Sequence, residues 1–151
     1  MKYNIACLNG PNLNLQGYRK KDLYGAKTLS KINDELSRRA SKHHCKIISY
    51  QSNYEGKLID YLQEQKNKFD GIIINPGPLT FYGYALRDAL VDTGCPFISV
   101  HLTNIYSRDE EFRHKDIFSN VSVGGIYGFK ENSYFLALQA LLDLLAKKSS
   151  K

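Results

Sequence analysis

Apolar positions along the chain alternate between two periods. YNIACLN (3–9) is a short apolar run that predicts a buried strand. TLSKINDELSRRASKH (28–43) spaces Leu29, Ile32 and Leu36 at helical intervals with charge elsewhere, and Thr28 can cap it. KIISYQS (46–52) predicts a strand, and EGKLIDYLQEQKNK (55–68) an amphipathic helix with Leu58, Ile59 and Leu62 inward. FDGIIINPG (69–77) predicts a strand ended by Pro-Gly, and YALRDALVDTG (84–94) a helix closed by glycine. PFISVHL (96–102) and the shorter NVSVGGIYGF (120–129) complete the strands, and the leucine-rich 131–148 is the last helix. Repeated strand–helix units predict parallel strands covered on both faces. The expected fold class is α/β: a flavodoxin-like, doubly wound five-stranded parallel sheet with helices on both faces. No repeat or linker interrupts it, so residues 1–151 are expected to form one domain.

Composition changes this picture little. No apolar run approaches the ~20 residues of a membrane span, so no membrane partner is expected. The N-terminus enters a strand-like run without a signal-peptide pattern. Cys7, Cys45 and Cys95 form no CxxC pair, and an odd count favours thiols in a reducing, cytoplasmic setting. Cys7 and Cys95 are expected to pack as small apolar groups. The net charge of +6 invites a nucleic-acid reading. Lys147, Lys148 and Lys151, however, lie in a tail expected to fray, three more cations lie in one early stretch, and acids are interspersed with the rest. No basic stripe or nucleic-acid motif results, and a basic balance equally suits a small anion.

In such sheets ligands bind outside the carboxyl ends of the strands. After the first three strands come GPNLN, SNYEG and NPGPLT, and HLTN follows the fourth. Asn12 and Asn75 thus stand at strand ends, and so does His101. Each asparagine is also explained by turn duty, and His101 by a bond to a carbonyl. As an imidazole, His101 is the obvious group at this edge for proton transfer near neutral pH.

The connection after the first strand is far longer than the roughly 2–6 residues usual for a βα loop. Its part at about 16–25 reads as a lid carrying Arg19 and ending in Tyr24-Gly25. A phenol is a poor base at neutral pH, and a neighbouring cation favours its ionised form. Arg19 beside Tyr24 therefore offers a usable phenolate. The alternative is a solvated basic loop with Tyr24 packed down as an anchor. Arg108 and Arg113, in SRDEEFRH, form a second cluster that either clamps an anion or makes a solvated turn of Arg–Glu pairs. GxGxxG after the first strand, a GxxxxGK cradle and a metal-spaced His/Cys/Asp cluster are all absent from the sequence.

The segments LNGPNLNLQGYRKKDLYG, YQSNYEGKLIDYLQEQ, GIIINPGPLTFYGYALRDAL, HLTNIYSRDEEFRH and GGIYGF, in this order, resemble the type II 3-dehydroquinate dehydratases over nearly the whole chain. That resemblance implies a flavodoxin-like hydro-lyase with no metal or cofactor, usually a dodecamer built from trimers. It implies removal of water from 3-dehydroquinate, a small anionic cyclic substrate, to give 3-dehydroshikimate through an enolate, in the shikimate or quinate pathway. Tyr24 would take the C2 proton, Arg19 would keep it ionised, Asn12 would hold a water at the enolate oxygen, and His101 would protonate the leaving hydroxyl. Asn75 would orient His101 and the substrate hydroxyls, backbone N–H groups of Leu102 and Thr103 would take the carboxylate, and Arg113 would bind ring hydroxyls. Asp88 would come from a neighbouring subunit.

Four features depart from the family pattern. Phe81 stands where the family has histidine, and Ser99 where it has a glutamate two residues before the acid histidine. The lid carries Lys20-Lys21 in place of Glu-Pro, and SRDEEFR is one residue longer, which predicts a displaced Arg113. These departures motivate two alternatives: a relative acting on another cyclic polyhydroxy acid, and a non-catalytic binding module for such an acid.

Overall fold

The structure, a computed structural model, describes residues 2–149. Of the tail cations, Lys151 and the side chain of Lys148 lie outside the described residues. Five strands form one all-parallel sheet: β1 (Tyr3–Asn9), β2 (Cys45–Gln51), β3 (Gly71–Asn75), β4 (Phe97–His101) and β5 (Gly124–Tyr127), in the order β2-β1-β3-β4-β5. That is the flavodoxin order, and the chain reverses its direction of travel across the sheet between β1 and β3.

Strand alternation sends each strand's side chains to two cores. Ile5, Cys7, Ile73, Ile98 and Val100 face α2 (Leu29–Ser41) and α5 (Asn132–Ser149). Ala6, Leu8, Ile72, Ile74 and Phe97 face α3 (Glu55–Glu64) and α4 (Tyr84–Asp92). Helices on both faces explain why β3 and β4 are buried without interruption. The Thr28 side chain accepts the Lys31 N–H and caps α2, and Gly94, with φ of +69°, closes α4. All three cysteines are thiols: Cys7 and Cys45 are buried in the α2/α5 core, and Cys95, half-buried, packs against the α3/α4 core.

Between β1 and α2 the chain is ordered by local structure. It makes a 3-10 turn at Leu13–Leu15 and a helical turn, α1 (Lys21–Tyr24), that the sequence reading did not anticipate. Gln16, buried, donates from Nε2 to the Tyr24 carbonyl at 2.8 Å and ties the segment to itself.

At the β1/β3 reversal two backbones cross in contact. The Gly10 N–H donates to the Asn75 carbonyl at 2.8 Å, and a Cβ at Gly10 would lie 2.3 Å from the Pro76 carbonyl oxygen. Gly10→Ala is therefore expected to cost about 1–3 kcal/mol, typical of forcing atoms into a packed site. Urea unfolding checks this, and an unchanged midpoint would show that the crossing can open freely.

Candidate active site

The carboxyl ends of β1, β3 and β4 and the segment before α2 enclose a cleft of about 190 Å³. Ligand sites of this fold form at such a switch point. Asn12, Arg19, Tyr24, Asn75, His101, Leu102, Thr103 and Arg113 all line it, together with Phe81 and Arg108. Asp88 does not line its own cleft. It is exposed on α4 and paired with Arg87 at 3.0 Å.

Arg19 and Tyr24 meet directly. Arg19 Nη2 lies 3.3 Å from the Tyr24 hydroxyl, and the guanidinium carbon sits 4.1 Å from the ring centroid. The Tyr24 ring also packs against the α2/α5 core. The anchor and the cation-paired phenol, alternatives in the sequence, are thus the same residue. Packing holds the ring, which leaves the hydroxyl aimed into the cleft beside a fixed positive charge.

Asn12 has φ of +70°, a left-handed conformation that asparagine tolerates. Its N–H donates to Asn53 Oδ1 at 2.9 Å, which links the edges after β1 and β2. Asn75, in register with Asn9, is held by a buried chain of bonds. Its Nδ2 donates to the Tyr134 hydroxyl at 2.9 Å, which donates to Asn9 Oδ1 at 2.7 Å. Asn75 Oδ1 accepts the Gly77 N–H at 3.1 Å. These bonds run to α5 and the following turn and orient Asn75 itself at the cleft.

His101 is 6% exposed at the end of β4, and its Nε2 has no hydrogen-bond partner. Burial pushes its imidazole down to about 4, opposed by the negative charge of Asp116. The ordinary value is about 6.5, so between these values the unfolded chain binds the proton that the folded chain refuses. Stability is therefore full above about pH 6.5 and falls as pH drops toward 4, by up to about 3 kcal/mol. Urea titrations at pH 7 and 4.5 should show this loss, and His101→Gln should flatten it; an equal slope in the variant would refute the assignment. Glu35, held at about 2 by its bonds to Lys27 and then Arg39, adds its own loss only below about 4.5.

The remaining wall is aromatic and cationic. Phe81 meets Phe112 edge-on at 5.4 Å between centroids, and the Arg113 guanidinium lies 4.9 Å from the Phe112 ring and 6.0 Å from Phe81. Arg113 Nε also lies 3.1 Å from Glu110 Oε1, an ion pair by distance without hydrogen-bond alignment. The longer SRDEEFR segment thus still brings Arg113 to the cleft.

The pattern described as Dehydroquinase class II matches residues 3–142. The chain belongs to this family. It is 43% identical over 145 residues to the 3-dehydroquinate dehydratase of Halothermothrix orenii, covering 96% of this chain and 97% of that one. It is 47% identical over 137 residues to the 3-dehydroquinate dehydratase of Dictyoglomus turgidum, covering 91% and 94%. The crystal structure of a type II dehydroquinase from Butyrivibrio crossotus superposes with a TM-score of 0.88 at 39% identity, covering 92% and 97%. Sequence reading missed Tyr134 and Asn9 behind Asn75, and Asp116 and Tyr127 beside His101. Nothing local marks them, since each matters through a partner from another element.

Proposed function

We propose that this dehydroquinase dehydrates 3-dehydroquinate to 3-dehydroshikimate through an enolate, as a hydro-lyase. The observation that carries the mechanism is the Arg19–Tyr24 contact in the same cleft as the buried His101. Proton removal next to a carbonyl needs a base at neutral pH. The Tyr24 hydroxyl, 3.3 Å from Arg19 Nη2 in the cleft, is placed to serve as that base. Asn12 holds a water against the oxygen where enolate charge develops, an electrostatic role.

His101 gives the leaving hydroxyl its proton. At rest it is neutral at pH 7, because burial holds its imidazole at about 4. The anionic substrate brings a second negative charge beside it, which favours proton uptake as the complex forms. Leu102 and Thr103 receive the carboxylate through their N–H groups, and Asn75 and Arg113 hold ring hydroxyls. Phe81 offers its ring where a hydrogen-bonding partner is expected, so hydroxyl recognition rests more on the cations Arg108 and Arg113.

The segment at about 16–25 acts as the lid of a single domain, and the helical turn that carries Tyr24 supports that role. The working assembly is a homo-oligomer, a dodecamer built from trimers, in which a neighbour's copy of Asp88 reaches this cleft. Exposed Tyr54, Tyr82 and Tyr84 around the starts of α3 and α4 support a contact surface there, with Asp88 on α4. The enzyme works in the cytoplasm on a shikimate-type pathway, a setting in keeping with three cysteine thiols.

Ultraviolet absorbance after mixing pure protein with 3-dehydroquinate at neutral pH tests the function. The conjugated product absorbs and the substrate does not, so a steady rise is expected. A flat trace from folded protein would overturn the reading.

A further inference from the structure

Two residues before His101, on the same face of β4, Ser99 is fully buried and its hydroxyl oxygen has no partner. It brings no charge to the imidazole. Across the sheet, Ser99 is in register with Gly125, and His101 with Tyr127. Both cross-strand neighbours belong to one arrangement. The Tyr127 side chain folds back over Gly125, so that a Cβ there would fall 1.8 Å from the Tyr127 hydroxyl. The missing side chain makes the slot in which the phenol lies.

From that slot the Tyr127 ring lies 5.5 Å from the His101 ring, and its hydroxyl donates to Asp116 Oδ2 at 2.7 Å. Asp116 is buried, and its other oxygen accepts Thr80 Oγ1 at 3.0 Å and the Phe118 N–H at 2.9 Å. Three donors on one buried carboxylate fix its place and satisfy its negative charge. Tyr127 stays in its phenol form, because burial first and then the bond to Asp116 raise it. It therefore serves as a permanent donor to Asp116.

The groups around His101 are few. Ser99 comes from its own strand and Tyr127 from β5. Tyr106, after β4, packs on Tyr127 at 5.7 Å. Arg19, Tyr24, Arg108 and Arg113 face it from the cleft, and Asp116 lies behind Tyr127. Among these described residues Asp116 is the one carboxylate, and its field opposes the effect of burial on the imidazole.

We propose that Asp116, acting through Tyr127, is the positioning carboxylate of His101, supplying from β5's side the negative charge that Ser99 does not. The small residues at 99 and 125 are then parts of the same device, one giving up the charge and the other admitting the phenol. This rests on the acid role proposed above for His101.

The test reads His101 directly. Its imidazole proton resonance, identified by its loss in His101→Asn, is followed from pH 7 to 4.5 in the whole protein, with circular dichroism confirming the fold. The native resonance should begin to move downfield below about pH 5. In Asp116→Asn, where the shape is kept and the charge removed, that movement should disappear. Turnover of 3-dehydroquinate at pH 7 should fall about tenfold in kcat with KM changed less than about twofold, a factor of ten corresponding to one pKa unit. Asp116→Glu should restore both readouts. If Asp116→Asn does not fold, Tyr127→Phe should move both in the same direction by a smaller factor. An unchanged His101 titration in the folded variants would overturn the proposal, as would a kcat loss without a titration change, which marks a merely structural role. A lost titration in a protein whose native form never turns over substrate would leave the charge coupling standing and overturn the acid role instead.

Discussion

Tyr24→Phe is expected to lower kcat for 3-dehydroquinate by about 10²–10⁴-fold, the range for losing a general base. Little else should change. The ring keeps its place against the α2/α5 core, and the Arg19 guanidinium keeps its position 4.1 Å from the ring centroid. Only the oxygen that Arg19 addresses at 3.3 Å is removed. The thermal midpoint should therefore stay near the native value, and KM should move much less than kcat, because the phenol's role lies in the transition state. Exchange of the C2 hydrogen with deuterium from solvent should vanish together with turnover. Full activity in the variant would show that another group removes the proton.

His101→Asn is expected to lower kcat by a comparable 10²–10⁴-fold, but at a different step. Without an acid the hydroxyl leaves poorly, while Tyr24 and Arg19 still form the enolate. Deuterium exchange at C2 should persist in this variant although product does not form. That separation is the sharpest check on the division of labour, since a base acting at both steps would lose exchange in either variant. Asparagine also spares the core a buried group that burial disfavours in its charged form, so the acid-induced loss of stability should shrink in step.

The elements and the strand order were legible because side-chain periodicity is local and connections in such sheets obey few rules. The predicted β1 and the starts of α3 and α4 coincide with the observed ones, and other ends differ by a few residues. Asn12, Asn75 and His101 could be read as edge residues, because a strand's end is marked by its flanking turn residues. The orientation of Asn75 could not, because its partner Tyr134 lies 59 residues away on α5. The place of Arg113 could not be read either: its segment folds into a short 3-10 turn, Glu111–His114, and Arg113 lines the cleft.

By itself the sequence determined the parallel sheet, the two helical layers, the edge on which a ligand would sit and, through its motifs, the family. Each of these follows from the order of residue types along the chain. Only the tertiary structure decided that Tyr24 is at once anchor and cation-paired phenol, that Asn75 is oriented from behind by Tyr134, and that Asp116 stands near His101 through Tyr127 and Gly125. Those are relations between side chains from different strands and helices. They depend on register and on which faces meet, and a linear pattern of apolar and polar positions does not carry either.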